Sequence, residues 1–267
     1  MPTNLPDLTR KQQTLLHLIY KHRFINTLQI QLLLNHKDKR RILSWLKDLG
    51  EKEYIVRIYD KTHLATRVKP AVYYLSLNGI RYLRSLDMYP EEELRKRYKE
   101  PARTPGFIEK SLFIADCCTT LKAKNKTSIQ YTYATPADYS NPDDPSYFLS
   151  AIQPSLYFVK HESGITTEYI FEILEPTLPP YQVRKRLREY IRFLHENDWE
   201  DWEVFHPVLL IACTDTFALL RAKRYMRRLL EKTDDQDIPI RLATRDDIKS
   251  FGITERVWVS VKHVSIS

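Results

Sequence analysis

The stretch Asp38-Lys39-Arg40-Arg41-Ile42-Leu43-Ser44-Trp45-Leu46-Lys47-Asp48-Leu49, continued by Gly50-Glu51-Lys52-Glu53-Tyr54-Ile55, decides how the N-terminal part of this chain folds. Ile42, Trp45, Leu46 and Leu49 recur at helical spacing, which predicts one buried stripe along a helix. Lys39, Arg40, Arg41, Ser44 and Lys47 fall outside that stripe and face solvent. The Asp38 carboxylate suits a helix N-terminus, where backbone N–H groups lack partners. After Gly50 the apolar pattern changes period, and residues 54–59 read as a strand.

Reading outward, Thr9 can cap a helix through Lys21, because Leu15, Leu16, Leu18 and Ile19 share one side of it. Thr27 can cap a short second helix through Leu34, with Ile30, Leu33 and Leu34 inward. Downstream, residues 71–75 form a second strand, separated from the first by a polar loop holding Lys61, His63, Arg67 and Lys69. Residues 78–85 close the unit as a helix. Three helices and then a two-stranded ribbon is the order of a winged helix-turn-helix, whose third helix enters a DNA major groove about 12 Å wide. The candidate DNA contacts are Lys37, Lys39, Arg40, Arg41, Ser44 and Lys47 on the helix side, with Lys61, His63, Arg67 and Lys69 on the wing. Glu53 departs from the pattern of such domains, which usually have glycine at that turn.

Charge supports the same partner. The net charge is +8, yet residues 1–110 hold 22 Lys and Arg against 12 Asp and Glu, while the remainder is slightly acidic. A basic half of this kind favours phosphates, so double-stranded DNA is the expected partner. Three cysteines, two of them adjacent at Cys117 and Cys118, suit buried free thiols better than a disulfide or a zinc site. No run of 18 apolar residues occurs, and no apolar segment follows the start, so the expectation is a cytoplasmic protein without a membrane partner. Phosphate-loop, GxSxG, HExxH and CxxC motifs are all missing. No cofactor, no metal and no catalytic residue is expected.

A charged helical stretch mixed with Pro and Gly punctuation at 90–106 reads as a linker between a 1–89 DNA-binding domain and a 107–267 domain. The second domain reads as helix (108–123), strand (128–133), loop (135–153), strands (156–160 and 168–174), helix (181–195), strand (207–213) and helix (217–231). Short elements ending at 257–261 complete it. The chain as a whole is thus α+β, with a mixed-sheet second domain. That order resembles the PD-(D/E)xK nuclease-like core, where two strand carboxylates hold magnesium and a lysine stabilises charge beside the phosphate. Ser155 stands where the metal-binding Asp would be, Glu172 matches the second acid, and Leu174 stands where the Lys would be. One carboxylate makes a poor magnesium cage, so the site is expected to be vestigial, with Glu172 paired to Arg184 or Arg188. The helices over 182–193 and 221–230 display cations that fit either a solvated face, a second phosphate-contacting surface or an acidic-partner site.

The segments Leu8-Thr9-Arg10-Lys11-Gln12-Gln13-Thr14-Leu15-Leu16, Phe24-Ile25-Asn26-Thr27-Leu28-Gln29-Ile30 and Pro70-Ala71-Val72-Tyr73-Tyr74-Leu75 resemble the replication-relaxation family. Pro154-Ser155, Phe171-Glu172-Ile173-Leu174-Glu175-Pro176-Thr177 and the helix over 184–190 look like that family's second half, so the resemblance spans about residues 8–230. It implies a mobile-element protein acting at a plasmid replication or transfer origin, as an accessory factor that touches a relaxase, a replication initiator or another protein through its C-terminal domain. A transcriptional repressor, with dimers on paired half-sites, would present the same N-terminal residues. A metal-dependent nuclease is the alternative from another class.

Overall fold

Two capping boxes start the first helices of the chain in the computed structural model, which describes residues 7–59, 69–196, 206–233 and 238–262. Helix α1 (Arg10–His22) begins at Thr9, whose hydroxyl accepts from the Gln12 amide N–H while the Gln12 side chain accepts from the Thr9 N–H. Strand β1 (Ile25–Asn26) leads into α2 (Thr27–Leu33), where Asn26 and Gln29 repeat the device at 2.9 and 3.0 Å. The cap is therefore Asn26 and not Thr27, which is buried in the first turn. Each such cap contributes about 1 kcal/mol.

Helix α3 (Lys39–Glu51) buries Ile42, Leu46 and Leu49, and it runs through a tight turn into β2 (Ile55–Ile58). Glu53 adopts φ +58° in that turn. Strand β3 (Val72–Leu75) pairs antiparallel with both neighbours, giving the sheet order β1-β3-β2 with Ile25 opposite Tyr73 and Ile55 opposite Leu75. Helix α4 (Leu77–Ser85) follows, capped by Ser76. Its Gly79 lies so close to the preceding chain that a Cβ there would sit 2.2 Å from the Tyr54 carbonyl oxygen.

The charged stretch read as a linker is helical, as its sequence suggests, but one side of it is packed and not exposed. Helix α5 (Glu91–Arg97) and a 3₁₀ turn (Glu100–Ala102) bury Glu93, Arg97 and Glu100. Arg97 Nη1 lies 2.7 Å from Glu93, and Nη2 donates to the Tyr20 carbonyl at 2.9 Å. Arg23 meets Glu100 at 2.7 Å. Helix α6 (Pro105–Ala123) continues the chain, and its Leu112 carbonyl and Asp116 carboxylate accept from Gln29 at 2.8 and 2.7 Å. Buried ion pairs and amide bonds of this kind need partners far apart in sequence, so composition alone reads the region as polar punctuation. By their contacts, residues 1–119 with 137–147 form one unit, and residues 120–136 with 148–267 form the other.

The second unit is a six-stranded sheet in the order β4-β5-β6-β7-β8-β9. Strands β4 (Ile129–Ala134), β5 (Leu156–Glu162) and β6 (Ile165–Ile173) form an antiparallel meander. The loop expected between β4 and β5 holds a short helix α7 (Pro136–Tyr139) and a 3₁₀ segment (Pro145–Ala151). Helix α8 (Pro180–Glu196) then leads to β7 (Val208–Cys213), parallel to β6, and α9 (Thr216–Thr233) leads to β8 (Ile240–Thr244), parallel to β7. Parallel neighbours on both sides explain why β7 is buried at every position, as its run Val-Leu-Leu-Ile-Ala-Cys requires. Helix α10 (Arg245–Phe251) and β9 (Val259–Ser260), antiparallel to β8, end the described chain. All three cysteines are free and buried. Among the described residues, no helix is long and apolar enough to cross a membrane.

Candidate nucleic-acid interface

Helix α3 is fixed from inside and open outside. Ile42, Leu46 and Leu49 anchor it, the buried Gln12 amide of α1 donates to Asp48, and His36 meets Trp45 edge to face at 5.2 Å between centroids. Asp38 accepts from the backbone N–H groups of Arg40 at 2.8 Å and Arg41 at 3.4 Å, so the helix starts immediately before its cations. At 100° per residue, Arg40, Ser44 and Lys47 form the stripe opposite the buried one, with Lys39 and Arg41 on its two flanks.

All the helix-side candidates are exposed: Lys37, Lys39, Arg40, Arg41, Ser44 and Lys47. Arg41 lies 3.7 Å from Asp38 and Lys47 lies 3.6 Å from Glu51, but both pairs stand in solvent and hold their charges weakly. Among the described residues, Lys39 and Arg40 have no ion pair. Lys69, at the far end of the hairpin loop, is also exposed. Lys61, His63 and Arg67 lie outside the described residues. Arg57 joins the group unforeseen: it is exposed on the edge strand β2, with its guanidinium 4.8 Å from the centroid of the Tyr59 ring. Its place two residues before the loop was the available signal.

The positions aligned with a nuclease centre are brought together in the second unit but filled by other chemistry. Ser155 lies just before β5, is buried, and accepts from the Ile173 N–H at 3.2 Å. Glu172 on β6 is 6% exposed, and its Oε2 accepts from Arg186 at 3.0 Å and from the Tyr190 hydroxyl. Arg186 also donates to the Gln153 carbonyl at 3.1 Å and to Tyr190 at 2.9 Å. Burial disfavours the Arg186 charge, but Glu172 and Tyr190 outweigh it and hold the guanidinium above its ordinary range. The partner of Glu172 is thus Arg186, not Arg184 or Arg188, because only Arg186 shares a helix face with the inward Tyr190, four residues on. Leu174 is buried and apolar, and Glu175 lies 3.6 Å from Arg245. This donor set does not fit a divalent cation, which needs several free oxygen ligands. Among the described residues, no group of three or more His, Cys, Asp or Glu is placed to hold a metal ion.

A cleft of about 440 Å³ opens beside this cluster, between α8 and α9, where β6 and β7 end. Leu174, Leu187 and Ala222 contribute to its apolar lining, and Arg184, Arg221, Arg224 and Arg228 bring positive charge.

A family model described as replication-relaxation matches residues 16–209, which reaches from the first unit into the second. No curated protein matches the chain.

Proposed function

Because the chain belongs to the replication-relaxation family, we propose that it serves plasmid replication or mobilisation by binding duplex DNA through its first unit. In this reading the first unit is a winged helix, α3 enters the major groove, and the β2–β3 hairpin tracks the adjacent backbone. The observation that carries the reading is the outer face of α3. Four cations emerge within nine residues of a helix whose other side is locked into the core, and Lys39 and Arg40 have no carboxylate partner among the described residues. A helix held this rigidly can present charge to phosphates without first ordering itself.

The β-β-β-α-β run of the second unit, entered from the end of α6, has the order expected of a PD-(D/E)xK core after its first helix, and on this reading the unit serves as a non-enzymatic domain. Glu172 is already engaged by Arg186 and Tyr190, so the chain acts as an accessory factor or regulator at a replication or transfer origin. Its protein contacts there, with a relaxase or an initiator, fall to the second unit. A repressor would use the same face of α3.

The test is a salt titration of duplex binding, with and without magnesium. Affinity for uncut duplex that falls steeply with salt, and is weakened by Lys39→Ala with Arg40→Ala, is the expected result. Retention unchanged by that pair would sink the reading. Cleavage with magnesium that Glu172→Ala abolishes would replace it with a nuclease.

A further inference from the structure

Helices α8 and α9 each carry an aromatic residue near the N-terminus and arginines beyond it. On α9, Phe217, Arg221, Arg224 and Arg228 follow one another at spacings of four, three and four, which places them on a single face. All four line the cleft. On α8, Tyr181, Arg184 and Arg188 repeat the pattern at spacings of three and four, and Arg184 faces the same cleft. Phe217 is 70% exposed and Tyr181 62% exposed, so both rings are open to a ligand. The Arg221 guanidinium lies 5.6 Å from the Phe217 ring centroid. Among the described residues, Arg184, Arg221, Arg224 and Arg228 have no ion pair, and the one carboxylate lining the cleft, Glu175, is turned to Arg245.

Position points the same way. The cleft lies at the carboxyl ends of two adjacent parallel strands, where α/β sheets bind ligands. Exposed rings interleaved with arginines suit a strand of unpaired nucleotides, since each base offers a flat face for stacking and each linkage a charge for a guanidinium. A duplex hides its base faces and would leave the Phe217 ring uncovered.

We propose that the α8–α9 cleft of the second unit binds single-stranded nucleic acid, with Phe217 stacking a base and Arg221, Arg224 and Arg228 contacting successive phosphates. This site is independent of α3, so a failure of duplex binding would leave it standing.

The experiment is fluorescence anisotropy of labelled dT12 and rU12 with the full chain and three variants: Phe217→Ala, the pair Arg221→Gln with Arg224→Gln, and the α3 pair Lys39→Ala with Arg40→Ala. The substituted cleft residues are exposed, so the core is untouched. Phe217→Ala and the arginine pair should each weaken single-strand binding about tenfold, while the α3 pair changes it less than twofold. The tighter of dT12 and rU12 identifies the sugar. Absence of single-strand binding at low salt, or binding that the cleft variants leave unchanged, would overturn the proposal. So would tighter binding of a labelled poly-glutamate peptide that the same variants abolish, which would make the cleft a dock for an acidic protein.

Discussion

Gly79 and Glu53 are a matched pair of backbone problems solved in opposite ways. Gly79 permits α4 to touch the Tyr54 carbonyl, and a Cβ would have to push one backbone off the other. Gly79→Ala should therefore cost about 3 kcal/mol, read as a lower urea midpoint with an unchanged slope. Glu53 pays the usual left-handed penalty at φ +58°, partly offset by the bond its carboxylate accepts from Asn78 at 3.4 Å. Glu53→Gly should stabilise the chain by about 0.5 kcal/mol, since relief of strain exceeds the added freedom of the unfolded state. A lower melting temperature for that variant would contradict the turn geometry. The Glu53 departure was visible in the sequence, but the need for Gly79 was not, because the group it avoids lies 25 residues upstream.

At the level of elements, α3 is legible almost residue by residue, since its stripe, its cap and its cations all obey a local period. Replacing Lys39 and Arg40 by Ala should reduce the salt dependence of duplex binding by about two phosphate contacts, uniformly across sequences. Helix α5 shows the opposite case. Its triplet Glu91-Glu92-Glu93 reads as a solvated run, yet Glu93 is buried against Arg97. Arg97→Ala leaves Glu93 buried without its main counter-charge and should cost about 3 to 5 kcal/mol in chemical denaturation. Helix α8 is intermediate: its amphipathic period is plain, but the choice of Arg186 as the partner of Glu172 depends on which helix turn meets β6.

Over the whole molecule, acid acts on the first unit in two separate windows. Burial, with Lys21 beside it, pushes the His22 imidazole down to about 3. The unfolded chain binds that proton near 6.5, so stability is lost as pH falls below 6.5, by about 2 kcal/mol between pH 7 and pH 5. Burial opposes the Glu93 charge, but Arg97 and Lys96 outweigh it and lower its carboxyl, so its contribution is lost only as pH falls through that depressed value. Urea unfolding should show the first loss flattened in His22→Gln and the second retained. Equal slopes in both proteins between pH 7 and pH 5 would show that His22 does not titrate with burial. The sequence by itself determined the longer helices and most strands of both halves, the basic character of residues 1–110, the free thiols and the family, because periodicity, charge and short motifs are local; it missed β1 and the short helices inside the 135–153 loop. Tertiary structure alone decided that residues 90–106 carry a buried ion-pair cluster, that Arg186 occupies Glu172, and that the arginine faces of α8 and α9 share one cleft. Each of these joins groups distant along the chain, and their energies depend on burial and direction, which no local pattern encodes.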